Sequence, residues 1–227
     1  MKTSKIALIV NLACCFLAII GDIFKLDSLQ LFTIPIIIPA LAFYYYVETK
    51  KISILVCLYL LSNFIGDSIA IMNFDDELKY ILLPFFMSNI IMIVIMIINL
   101  EKFKLNFINI IAISIVISFL GYMWKIVVEL FNFSEGSLQI QVAVFGFSLL
   151  LLATLATYNI VWRINNSNLF LMVSSSCVLV SDVFYMIYNF QNQLVVLDSI
   201  HFACQMVSYF FFIKYILLKE ERTIILK

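Results

Sequence analysis

Charge is what this chain has least of. Only 12% of its 227 residues are Asp, Glu, Lys or Arg, against 64% apolar residues and a mean hydropathy of +1.11. A soluble domain carries about 25% charged residues, so this scarcity excludes that class and leaves a polytopic membrane protein. The zero net charge and the lack of a basic patch with interleaved aromatics exclude nucleic acid as a partner. No Gly-, Ser- or Pro-rich stretch marks a boundary, so residues 1–227 read as a single domain. Five glycines and three prolines leave few places to break a helix, which argues for a rigid bundle. The five cysteines, Cys14, Cys15, Cys57, Cys177 and Cys204, lie in apolar runs without CxxC spacing or a histidine cluster. They are expected to be buried reduced thiols, with no disulfide, no metal site and no cofactor.

Long apolar runs are abundant instead. The basic flank Met1 to Lys5 resembles the start of a signal peptide, but the run that follows reaches Phe24 with no small-residue cleavage site, so it reads as a retained first span. Windows of about 20 residues predict eight spans at 6–24, 30–47, 52–73, 79–99, 105–127, 138–161, 168–189 and 195–218. The strand alternative needs a polar alternation that is absent, so all eight are expected to be helices. The connections Glu48 to Lys51, Phe74 to Glu77, Glu101 to Lys104 and Ile164 to Ser167 are short enough to join only antiparallel neighbours, giving an up-and-down bundle. With eight spans the termini share a side, and that side collects Lys2, Lys5, Lys50, Lys51, Lys102, Lys104, Arg163, Lys219, Arg222 and Lys227, whereas the other collects Lys25, Lys79 and Lys125. Both termini are therefore expected in the cytoplasm. The acidic turn Asp75-Asp76-Glu77 then lies outside, as a solvated turn.

Against this background a carboxylate inside a span is costly, about +2.5 to +3.5 kcal/mol at mid-helix. Asp67, in Asn63-Phe64-Ile65-Gly66-Asp67-Ser68, sits in span three, and Asp182, after Ser181, sits in span seven. They are 115 residues apart, close to half the chain, as a parallel internal repeat of four helices would give. At 1.5 Å per residue they lie about 22 Å and about 21 Å into parallel spans, in one layer. Such a pair points to a polar site. Asn63, one turn before Asp67, and Tyr185, three residues after Asp182, are placed to hydrogen-bond the acids, and Asn89 in span four adds a third amide. His201, the only histidine, enters the same layer from span eight. Asp22 is close enough to the interface to be solvated. Lys125 and Glu129 form an i, i+4 surface pair, and Ser174-Ser175-Ser176 is expected to serve close helix packing. The Phe and Met side chains are expected to face lipid.

These motifs resemble those of the YhhN family of lysoplasmalogenases: a small residue and Asp late in span three, Ser-Asp in span seven, and a last helix reading Gln205-Met-Val-Ser-Tyr209-Phe. The resemblance covers most of the chain. It implies a multi-pass protein of a bacterial plasma membrane that hydrolyses the vinyl ether bond of a lysophospholipid, lysoplasmalogen, releasing a fatty aldehyde and a glycerophospho-alcohol. Asp67 and Asp182 match the two motif aspartates and are the candidate catalytic pair. Asn63, Asn89, Tyr185, His201 and Tyr209 are the candidate substrate-binding residues. The chain departs from the family pattern where Lys-Pro becomes Ile34-Pro35, Ala-His becomes Ser88-Asn89, and the last-span Ala-Gln is replaced around Phe212 and Ile213. Two alternatives follow: an inactive lipid-binding relative and a small parallel-repeat transporter. Headgroup, chain length and oligomeric state stay open.

Overall fold

The computed structural model describes residues 3–72, 77–100, 107–130, 136–190 and 194–225. These form eight helices: α1 (Thr3–Ile23), α2 (Asp27–Thr49), α3 (Ile54–Met72), α4 (Glu77–Ile98), α5 (Phe107–Leu130), α6 (Gly136–Trp162), α7 (Asn166–Phe190) and α8 (Val195–Ile225). All eight are long and apolar enough to cross a membrane, which makes this a multi-pass membrane protein. A helix satisfies its own backbone groups where no water can, and each expected span coincides with one helix. The largest difference is at the end, where α8 runs to Ile225 instead of 218. The charged residues after Leu218 are good helix formers and carry the helix beyond the apolar stretch. Residues Phe74 to Asp76 and Glu101 to Lys104 of the expected connections lie outside the described residues.

Helix contacts close a six-membered ring in the order α2, α3, α4, α6, α7, α8 and back to α2, with α1 outside against α2 and α8, and α5 outside against α6. The pairings α1 on α2, α2 on α3 and α3 on α4 recur as α5 on α6, α6 on α7 and α7 on α8, and α4 on α6 mirrors α8 on α2. This is the pattern of a parallel four-helix repeat. Among the described residues only the α1–α8 contact lacks its counterpart.

Lipid provides little hydrophobic drive between helices, so packing and interhelical hydrogen bonds hold the ring. Asn11 Nδ2 donates to the Ile37 carbonyl at 2.8 Å, tying α1 to α2. Lys214 Nζ donates to Tyr44 Oη at 2.6 Å and lies 5.0 Å from the centre of that ring, while Tyr45 Oη donates to Glu220 at 2.7 Å; both tie α2 to α8. Ser174 Oγ donates to the Ser208 carbonyl at 2.9 Å, so one member of the serine run cross-links α7 and α8. Trp124 Nε1 donates to the Ala143 carbonyl at 3.2 Å beside Gly146, where a Cβ would come within 2.5 Å of the indole. The outward side chains of α5, including Ile111, Ile115 and Phe119, are exposed, as a lipid-facing surface requires. The cysteines differ from expectation. All five are free, four are half-buried and Cys57 is exposed, because the apolar solvent lets a thiol face outward at no cost.

At the end of α1 the chain turns through a Schellman arrangement, with Leu26 N bonded to the Gly21 carbonyl at 2.7 Å and Lys25 N to the Asp22 carbonyl at 3.1 Å. Lys25 takes the left-handed position (φ 50°) usually filled by glycine. The turn also tests orientation. Leu26 is exposed, so Leu26→Cys in a cysteine-free background should react with an impermeant maleimide in intact cells, and a C-terminal alkaline phosphatase fusion should be inactive. A protected cysteine with an active fusion contradicts cytoplasmic termini.

Candidate functional site

Side chains from all six ring helices and from the α1–α2 turn line a cavity of about 680 Å³. Asp67 of α3 and Asp182 of α7 both stand on its wall. Gly66 precedes Asp67 because Phe85 of α4 packs there: a Cβ on Gly66 would meet the Phe85 ring at 2.7 Å. Phe85 lines both this cavity and a smaller void of about 20 Å³ beneath it. That void is large enough for about one water and is walled by Asn63, Asn89, Asp182, Gln205 and Tyr209 among others.

The buried Asp67 is held from α8. Tyr209 Oη donates to Asp67 Oδ1 at 2.9 Å, and Gln205 Nε2 reaches the same oxygen at 3.4 Å. Gln205 Nε2 also donates to Tyr209 Oη at 2.7 Å, and its Oε1 accepts from Ser181 Oγ at 2.9 Å. Ser181 Oγ is 2.8 Å from His201 Nδ1. The chain of bonds thus runs from His201 through Ser181, Gln205 and Tyr209 to Asp67, and from Ser181 onward every donor points toward the carboxylate. Aligned chains of this kind polarise one another. Asp182 is placed differently. The buried Oδ2 of each aspartate lacks a hydrogen-bond partner, as does Asn89 Nδ2, but among the described residues no donor reaches Asp182 as Tyr209 and Gln205 reach Asp67.

The expected local partners of the two acids are therefore corrected. Asn63 Nδ2 donates to the Tyr59 carbonyl at 2.8 Å, bonding back to its own helix instead of to Asp67, because an amide one turn away finds the i−4 carbonyl first. Tyr185 lays its ring on His201, with centroids 4.8 Å apart, and Asp182 Oδ2 stays unpartnered. Asp67, Asp182, Tyr185 and His201 come together on the large cavity. Asn63, Asn89 and Tyr209 line the small void beneath. Ile34 and Asn89, where the family pattern has Lys and His, line the cavity and the void respectively.

The cavity mouth was not foreseen. Asp22, expected to be solvated, is 5% exposed and accepts hydrogen bonds from Ser199 Oγ at 2.6 Å, Gln30 Nε2 at 3.1 Å and Lys25 Nζ at 3.3 Å. Lys25 also bonds Asp198 Oδ2 at 2.9 Å. Burial pulls the Lys25 ammonium down, but its bonds to Asp198 and Asp22 and their charges outweigh that and hold it above the ordinary lysine value. Besides Lys25, three residues on, the partners of Asp22 come from α2 and α8, and the helix that carries Asp22 gives no sign of them. Gln205 was the more findable omission: His201, Gln205 and Tyr209 recur at i, i+4 and i+8, one polar stripe on an otherwise apolar helix.

The contact between Gly66 and Phe85 generates a test. In Gly66→Ala the ring must shift, at a typical overpacking cost of about 1–3 kcal/mol, against about 1 kcal/mol gained in helix propensity. The variant should unfold at a lower temperature in detergent, and adding Phe85→Leu should recover part of the loss. A Gly66→Ala protein as stable as the parent would contradict this packing. Comparison of the chain with protein-family models, with curated proteins and with solved structures finds no match.

Proposed function

We propose that this protein is a lysoplasmalogenase-like hydrolase of a bacterial plasma membrane, cleaving the vinyl ether bond of lysoplasmalogen to a fatty aldehyde and a glycerophospho-alcohol by paired-aspartate chemistry. One observation carries the reading: of two aspartates on the wall of one intramembrane cavity, each with a buried, unpartnered Oδ2, only Asp67 is met by donors among the described residues, both of them at Oδ1. Asp67 accepts two donors at Oδ1, which suits a carboxylate. Asp182 is met by no hydrogen-bond donor among the described residues and its Oδ2 is buried, which suits a protonated acid. Pairs of carboxyl groups in unlike surroundings divide the roles of proton donor and charge-stabilising base.

The spaces around Asp182 fit such a substrate. It borders the large cavity and also an apolar cleft of about 180 Å³ in which it is the one acidic or basic residue among the described lining of Leu120, Trp124, Val142, Leu149, Leu150 and their neighbours. A vinyl ether is the point at which a polar glycerol joins a hydrocarbon chain, so a lysolipid with its chain in the cleft and its headgroup in the cavity brings that bond to Asp182. A volume of about 680 Å³ also lies within the usual range for small-molecule sites, about 300–1,000 Å³. Lys25, at the mouth, is the cation among the lining residues described and is placed to meet a phosphate.

In this mechanism Asp182 gives its proton to the β-carbon of the vinyl ether. The oxocarbenium ion that forms is stabilised by the Asp67 carboxylate, water adds to the carbon bearing oxygen, and the hemiacetal collapses to aldehyde and alcohol. A second reading, lipid binding without turnover, is favoured by one feature: Ile34 puts an apolar side chain on the cavity wall where the family pattern has a cation.

Purified protein with lysoplasmenylethanolamine should release aldehyde. Asp182→Asn and Asp67→Asn should each lose about 10²-fold or more, and the double variant should lose little further, since residues acting as a unit are not additive. Release unchanged in both single variants removes the pair from the mechanism. Binding of lysolipid without release from the wild type supports the second reading, and Ile34→Lys with Asn89→His is then the variant expected to gain turnover.

A further inference from the structure

We propose that His201 is a third catalytic residue, held by Ser181 as the Nδ1–H tautomer so that Nε2 takes the proton from the attacking water. The proposal rests on the hydrolase reading. The tautomer follows from the hydrogen bonds alone. His201 Nδ1 lies 3.0 Å from the Ser181 carbonyl oxygen, and a carbonyl can only accept, so Nδ1 carries the hydrogen. The Ser181 hydroxyl gives the same answer. Its one proton goes to Gln205 Oε1, so at 2.8 Å from Nδ1 the hydroxyl oxygen is an acceptor too. The orientation of Gln205 is fixed in turn, because its Nε2 is engaged by Tyr209 Oη and Asp67 Oδ1. Proton order is thus dictated from the Asp67 end of the chain.

A neutral ring with hydrogen on Nδ1 keeps its lone pair on Nε2. His201 lines the large cavity together with Asp67 and Asp182, and among the described residues no hydrogen bond occupies Nε2. The Tyr185 ring at 4.8 Å fixes the imidazole plane. This is how an orienting partner prepares a histidine base.

The step balances within the hydrolysis. As water oxygen bonds to the oxocarbenium carbon, one water proton passes to Nε2 and gives a neutral hemiacetal and an imidazolium. When the carbon–oxygen bond to glycerol breaks, the imidazolium protonates the leaving oxygen and the hemiacetal hydroxyl returns its proton to Asp182. Every group ends as it began, with one water consumed.

The chain has a single histidine, so protein labelled with ¹⁵N-histidine and carrying a histidine-free tag gives one imidazole signal. Long-range ¹H–¹⁵N correlations at neutral pH should show hydrogen on Nδ1, and a neutral ring with hydrogen on Nε2 overturns the proposal whatever the activity. His201→Asn keeps a donor near the Nδ1 position and removes the base; it should fold with unchanged thermal stability and lose about 10²- to 10⁴-fold in aldehyde release. His201→Gly should recover part of its lost rate when imidazole is added, which separates lost chemistry from lost folding. An active wild type with an equally active His201→Asn overturns the base role alone. A wild type that releases no aldehyde overturns the hydrolase reading and the base role with it.

Discussion

The bond that Tyr209 donates to Asp67 is the interaction on which the interior depends. A carboxylate within the hydrocarbon layer costs about 2.5–3.5 kcal/mol, and hydrogen bonds to a charged group offset about 1.5–3 kcal/mol each. The donors come from α8, a helix whose backbone, among the described residues, does not come close to that of α3. Ring closure holds these two helices apart, and large side chains bridge the gap: Tyr209 and Gln205 to Asp67, and the rings of Tyr59 and Phe212 to each other. That separation is what leaves room for a cavity on the same level as the acids.

The internal repeat explains why the two aspartates are not equivalent. Asp182 follows Asp67 by 115 residues, and Gln205 follows Asn89 by 116, so Asn89 on α4 stands to Asp182 roughly as Gln205 on α8 stands to Asp67. Asn89 is one methylene shorter, and its Nδ2 has no partner. The position corresponding to Tyr209 falls at Ile93 or Val94, which have no hydroxyl to give. Two related halves thereby give one oxygen of Asp67 two donors and leave Asp182 with none among the described residues. Unlike environments for like groups are what acid and base roles require.

The eight spans and the two acids were legible in the sequence because both are extremes of hydropathy: 20-residue apolar runs, and charges where none should be. Equal depth followed from helix rise alone. What the sequence hid were contacts at long range. Asp22 looked solvated because its burial depends on Gln30 and on Ser199, 177 residues away. Asn63 looked like a partner for Asp67 because periodicity reports a shared face and not which acceptor an amide meets first. The peripheral place of α5, and the exposure of Cys57, depend on which helices close the ring, and every span is apolar enough to stand in either position.

A double-mutant cycle between Tyr209→Phe and Asp67→Asn, read as unfolding free energy in detergent, addresses the bond itself. The account predicts a coupling of about 1–2 kcal/mol between the two positions. Additivity within about 0.3–0.5 kcal/mol would contradict it, and with it the oriented chain that leads from His201 to Asp67.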